Sequence, residues 1–194
     1  MTPALAKAIW ILGGIAWFVI RYPHQRRSWR TPVRTNARDW RETVLLVASL
    51  SGLGIVPFLY VATGFPRVAD HRFSAALAWG GTLVFAWALW LFYRTHADLG
   101  RNWSVTLEVR DRHTLVTAGI YRRIRHPLYA AFWLWAIAQA LLLPNWVAGP
   151  AGLIGFGTLF FFRVGREEQL MIETFGEEYR HYMRQTARVV PFLY

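Results

Sequence analysis

Apolar residues gather along the chain in five stretches, running approximately from Leu5 to Ile20, Val44 to Ala62, Phe73 to Tyr93, Leu128 to Leu143 and Trp146 to Phe162. A helix needs about 20 residues to cross about 30 Å of hydrocarbon. The second and third stretches meet that length, whereas the first, fourth and fifth fall short of it. The first begins near Met1 in the manner of a signal peptide, yet it has little basic character beyond Lys7 and runs into arginines without a small-residue cleavage site, so a retained helix is expected. Pro144 and Asn145 join the last two stretches closely enough to predict an antiparallel helical hairpin, whose arms need not both reach the far face.

The polar segments between the stretches are rich in arginine. Seven arginines lie between Arg21 and Arg41, seven between Arg94 and Arg125, and five from Arg163 onward, but only Arg67 and Arg72 lie between Thr63 and Arg72. By the positive-inside rule the three rich segments face the cytoplasm. Five spans then place the amino terminus outside and the carboxyl terminus inside, and every basic segment falls on one side. The expected fold is therefore an all-α, polytopic integral membrane protein of about five transmembrane helices in the cell's inner, cytoplasmic membrane. It forms a single membrane-embedded domain over 1–194, with three amino-terminal spans in 1–93 and the chemistry in 94–194.

Composition agrees. Hydrophobic residues make up 55% of the chain, against roughly 45–50% in an ordinary soluble domain. The net charge of +11 could point to nucleic acid, but the apolar excess makes a lipid surface the expected anionic partner. With no cysteine, disulfides, zinc thiolate sites and thiol catalysis are excluded, and no metal site is expected. Glycines within the spans, among them Gly13, Gly52, Gly81, Gly152 and Gly155, predict close helix packing. Gly155-Phe156-Gly157 lies inside a span with no strand before it, so it is not a dinucleotide loop.

Two blocks on the arginine-rich side carry the chemistry: RHTLVTAGIYRRIRHPLY, residues 112–129, and FFRVGREEQLMIETFGEEYRHYMRQTARVVPF, residues 161–192. Arg163 and Glu167 stand four apart and can pair on one helical face. Glu167 and Glu168 follow an apolar span directly, where an ionisable group needs a partner. Read alone, they also fit a solvated helix face with snorkelling arginines.

Together these blocks resemble the isoprenylcysteine carboxyl methyltransferase family and its wider relatives, the phospholipid N-methyltransferases. The resemblance rests on Arg125-His126-Pro127-Leu128-Tyr129, Glu167-Glu168 and Phe175-Gly176-Glu177-Glu178-Tyr179, in that order, with the preceding HTLVTAGIY at 113–121. It covers roughly the carboxyl-terminal half, and the first two spans match no motif. It implies a membrane methyltransferase that uses S-adenosyl-L-methionine, held between the hairpin and the carboxyl-terminal segment. Carried over by position, the cofactor-binding residues are His113, Thr114, Leu115, Val116, Tyr121, His126, Pro127, Leu128, Tyr129 and Glu167. Arg163 would face the acceptor, with Arg188 as second choice.

The residue types suit such a ligand. Leu115, Val116 and Leu128 can wall it, Glu167 can accept from hydroxyl or ammonium groups, and His126 and Tyr129 can donate to a carboxylate. Pro127 at a helix start leaves no amide unsatisfied and biases His126 toward extended backbone. The implied partner is a lipophilic acceptor, a prenylated cysteine or another amphiphile, entering from the bilayer. Its reacting group stays open at this point. A carboxylate would be gripped by an arginine fork. An amine would favour aromatic or acidic neighbours such as Trp103, Trp133 and Trp135. A non-enzymatic scaffold binding anionic lipid is the remaining alternative.

Overall fold

The computed structural model describes residues 1–28, 33–36, 39–99, 108–110 and 115–191. In chain order the elements are α1 (Pro3–Ser28), β1 (Val33–Asn36), α2 (Trp40–Leu50), α3 (Val56–Thr63), α4 (Ala75–Leu99), β2 (Glu108–Arg110), α5 (Pro127–Leu142), α6 (Ala151–Phe175) and α7 (Glu177–Gln185). The fold is all-α apart from one small antiparallel ribbon of β1 and β2. Among the described residues, three helical rods are long and apolar enough to cross a bilayer: Pro3–Arg26, Trp40–Thr63 and Ala75–Leu99.

The second rod is continuous but not uniform. Between α2 and α3 the backbone widens into a π-helical segment, Ser51–Ile55, which the apolar pattern did not announce. Gly52 sits in this segment, and a Cβ there would lie 2.2 Å from the Ala151 carbonyl oxygen. Gly155 mirrors it, since its Cβ would lie 2.4 Å from the Ala48 carbonyl. The second rod and α6 thus touch backbone to backbone, as small residues permit where no water-driven force assembles helices.

The hairpin departs from expectation in two ways. Its turn is wider than Pro144-Asn145, because α5 stops at Leu142 and α6 starts only at Ala151. Asn145 organises the extra residues: its Oδ1 accepts from the Val147 and Ala148 amides, and its Nδ2 donates to the Pro66 carbonyl and Asp70. The second arm also continues well past Phe162, to Phe175, so its charged half projects beyond the apolar stretch. α5 has 16 residues and rises only about 24 Å, in keeping with an arm that need not reach the far face.

The arginine-rich end is tied together by short contacts. Gly119 adopts φ +63°, and a Cβ on it would fall 2.3 Å from Asp98 Oδ2, which accepts instead from the Ile120 amide at 2.9 Å. This explains why glycine stands in the AGIY stretch. Gly176, at φ +59°, turns the chain from α6 into α7. α7 buries Tyr179 and Tyr182, and the Tyr182 hydroxyl donates to the Tyr121 carbonyl at 2.6 Å.

Candidate active site

A cavity of about 570 Å³ opens where α1, the second rod, α5, α6 and α7 converge. Its size falls within the range of small-molecule sites. Along α6 it is lined by Phe156, Leu159, Arg163, Glu167 and Leu170, one residue per turn, so it follows this helix for about 21 Å. Up to Leu159 the lining is mostly apolar, with Trp10, Trp17, Leu46, Leu53, Trp135 and Phe156 alongside Ser49. Beyond it come Arg125, His126, Tyr129, Arg163, Glu167, Tyr121, Tyr179 and Tyr182. One continuous space therefore joins a greasy bore to a polar mouth.

Of the sequence-derived residues, Leu115, Val116, Tyr121, His126, Pro127, Leu128, Tyr129 and Glu167 all line this cavity, as does Arg163. His113 and Thr114 lie outside the described residues, as does Trp103. Trp135 lines the cavity, whereas Trp133 packs against Phe156, Phe160 and Phe161. Arg188 is placed elsewhere: its guanidinium pairs with Glu168 at 2.7 Å and lines a second cavity on the other side of that carboxylate.

The two adjacent glutamates point in different directions and do different work. Glu168 is buried and receives Arg125 Nε at 2.7 Å, Arg188 Nη2 at 2.7 Å and His126 Nε2 at 3.2 Å. A solvated helix face does not describe it. Burial by itself disfavours its charge, but the hydrogen bonds from His126, Arg188 and Arg125 outweigh that and hold its carboxyl well below the usual range. Glu167 faces the cavity, its side chain 32% exposed, and accepts a hydrogen bond from the Tyr129 hydroxyl. That proton is therefore directed at Glu167, a different use from donation to a bound carboxylate. His126 lies between the pair, 3.7 Å from Glu167 Oε1 through Nδ1, with its ring stacked on Tyr129. Its backbone, at φ −123° and ψ 60°, stops short of the extended ψ usual before proline.

Arg163 is buried, and its guanidinium reaches Glu42 Oε1 at 3.2 Å and Glu167 Oε2 at 3.9 Å. Glu42 is fully buried in the first turn of α2, a span with no recognised motif, so nothing marks it along the chain beyond one carboxylate at the edge of an apolar run. Its placement is secured locally. Asp39 caps α2 by accepting from the Glu42 amide at 2.8 Å and pairs with Arg166 of α6 at 3.0 Å. Among the described residues, no group of three or more His, Asp or Glu side chains is arranged to hold a metal ion.

Known proteins resemble part of this chain. The sequence model described as the isoprenylcysteine carboxyl methyltransferase (ICMT) family matches residues 79–173. Over this segment the chain is similar to that family. ICMT relatives include the protein-S-isoprenylcysteine O-methyltransferases of Dictyostelium discoideum, 36% identical over 98 residues, and Homo sapiens, 36% identical over 92 residues. Each alignment takes in 47% of this chain, but only 40% and 32% of those proteins respectively, so the chain spans less than half their length. A solved structure of the eukaryotic intramembrane Ras methyltransferase ICMT superposes with a TM-score of 0.55 at 25% identity, covering 81% of this chain and 55% of that one. The match extends beyond the segment that the family model covers. With its three long apolar helices, it identifies an all-α integral membrane protein.

Proposed function

We propose that this chain is an S-adenosyl-L-methionine-dependent methyltransferase that methylates the carboxylate of an isoprenylcysteine-type lipophilic acceptor. The observation that carries this reading is the cavity, in which the family's motif residues and Arg163 meet at a polar mouth continuous with an apolar bore. S-Adenosylmethionine, when bound, supplies an electrophilic methyl group. The residues present suit it: Leu115, Val116 and Leu128 offer apolar walls, and Glu167 an accessible carboxylate. The acceptor's tail fits among Trp10, Leu53, Trp135 and Phe156, and its carboxylate is oriented by Arg163. An α-carboxyl titrates near 3.3–3.7, so it is already ionised and needs no general base. The protein's contribution is alignment, worth up to about 7–11 kcal/mol in well-oriented systems, together with the exclusion of water by the aromatic lining.

The carboxyl-terminal half, 94–194, would hold the cofactor within a single domain that includes the spans of 1–93. The site would open to the cytoplasm from the inner membrane, following the arginine distribution. Reporter fusions after Arg41, Arg125 and Tyr194 should then report cytoplasm, and one near Phe65 the outside. A cytoplasmic signal at Phe65 contradicts this orientation.

Calorimetric titration of the detergent-purified protein with S-adenosylhomocysteine tests cofactor binding and separates an enzyme from a lipid-binding scaffold. Glu167→Gln should weaken that binding by about 1.5–3 kcal/mol, the scale of a hydrogen bond to a charged group, while Glu173→Gln serves as a control. Parental affinity in both variants would show the cofactor site to be misplaced. A second reading, N-methylation of an amine, draws on Glu42 and Glu167 flanking Arg163 and on Trp135 in the lining. Turnover of phosphatidylethanolamine but not of a prenylcysteine acid would favour it.

A further inference from the structure

The proposed reaction has no use for a second cleft, about 660 Å³ in volume, formed between the turn before α5 and the segment after α7. Its lining includes Arg122, Arg123, Arg125, Arg184 and Arg188 and no carboxylate. Glu168, buried behind it, pairs with Arg125 and Arg188. Arg122, Arg123 and Arg184 are exposed and have no acidic partner among the described residues. Glu168 offsets the charge of Arg125 and Arg188, but Arg122, Arg123 and Arg184 still raise the positive potential of the hollow, which an entering anion would relieve.

The hollow is built rather than a chance meeting of surface side chains. Its two walls are joined by backbone hydrogen bonds: the Arg125 amide to the Ala187 carbonyl at 2.9 Å, the His126 amide to the Arg188 carbonyl at 3.0 Å, and the Ala187 amide to the Arg123 carbonyl at 3.2 Å. The backbone at Arg123, Arg125 and Arg188 is thereby held at fixed spacing. The first wall ends directly at Pro127, where the apolar helix α5 begins, so the cleft adjoins the start of an apolar helix on the arginine-rich side of the chain. Guanidinium forks match phosphate oxygens, and clustered arginines beside a membrane helix draw anionic lipid.

We infer that this cleft binds the phosphate of an anionic phospholipid in the adjoining leaflet. The inference rests on the chain being embedded in a membrane and not on the identity of the methyl acceptor. Because Arg125 and Arg188 face the cleft and also hold Glu168, which holds His126, an occupied cleft would brace the wall of the first cavity from behind.

The test is native mass spectrometry of protein extracted from bilayers of phosphatidylcholine and phosphatidylglycerol, a readout that needs neither methyl donor nor acceptor. The parent should retain phosphatidylglycerol in preference to phosphatidylcholine. Arg123→Gln/Arg184→Gln should weaken that retention roughly thirtyfold, taking about 1 kcal/mol for each arginine at a membrane surface. Arg67→Gln/Arg72→Gln removes the same charge from a different loop and should retain the lipid like the parent. Unchanged retention in the first variant, or equal loss in both, would overturn the site. Displacement of the lipid by excess inorganic phosphate would overturn the lipid as occupant and assign the cleft to a soluble phosphate ester. Cofactor binding by calorimetry should survive in both variants, so failure of the cleft and failure of the methyltransferase reading are told apart.

Discussion

Arg163→Lys should lower methyl transfer to a prenylcysteine-type acid by about two orders of magnitude, because a point-charge ammonium cannot reproduce the planar fork of a guanidinium on a carboxylate. Affinity for S-adenosylhomocysteine should stay within about twofold of the parent, since the positive charge beside Glu167 is kept. Single-turnover rates and calorimetry on the same variant separate the roles. If rate and cofactor affinity fall together, Arg163 serves Glu167 and not the acceptor. If neither changes, the acceptor's reacting group is held elsewhere, and the amine reading with Glu42 and Glu167 gains ground.

Glu168→Gln should be the most damaging substitution for stability, at about 3–5 kcal/mol, because it leaves Arg125 without its buried counter-charge. Arg188 and His126 lose the same anchor. Denaturant unfolding in detergent measures the loss, and an effect below about 1 kcal/mol, the size of an exposed pair, would mean the cluster is solvated. The pH dependence has a definite sign. The carboxyl of Glu168 is depressed in the folded protein, so its contribution is complete above the ordinary carboxylate range near 4.3 and is lost as pH falls below it toward the lower folded value. Acid sensitivity of the parent in that window should be blunted in Glu168→Gln.

The membrane-spanning helices were legible because apolar runs of this length leave a chain few other structures, and the convergence of Leu115, Val116, Tyr121, His126, Tyr129 and Glu167 on one cavity was legible because motif order carries three-dimensional proximity. What escaped lies where side chains meet across distant segments. Glu42 on α2 and Arg163 on α6 are far apart in sequence, and neither helix's own pattern mentions the other. Glu168 belonged to a recognised pair of glutamates, yet which of the two faced the cavity depended on a single step of helical phase. The hairpin turn was underestimated for a similar reason. Pro144 and Asn145 announce a turn, but the length of the loop follows from Asn145 reaching Pro66 and Asp70, contacts that no local signal encodes.

The wide turn at Ser51–Ile55 has a consequence for the site. An α-helix advances about 100° per residue, and a π turn accommodates one residue more than an α turn. The two halves of the second rod are thus set at a rotational offset that an unbroken helix would not have. With this setting α2 aims Glu42 at Arg163 while α3 keeps Pro57 and Tyr60 inward. Deleting one residue from the segment would restore regular winding and leave α2 in nearly its present phase, because the wide turn already absorbs the step of about 100° of one extra residue, so Glu42 and Asp39 should go on facing α6. The wide turn therefore lets the second rod carry one residue more without turning the charge beside Arg163 away from it.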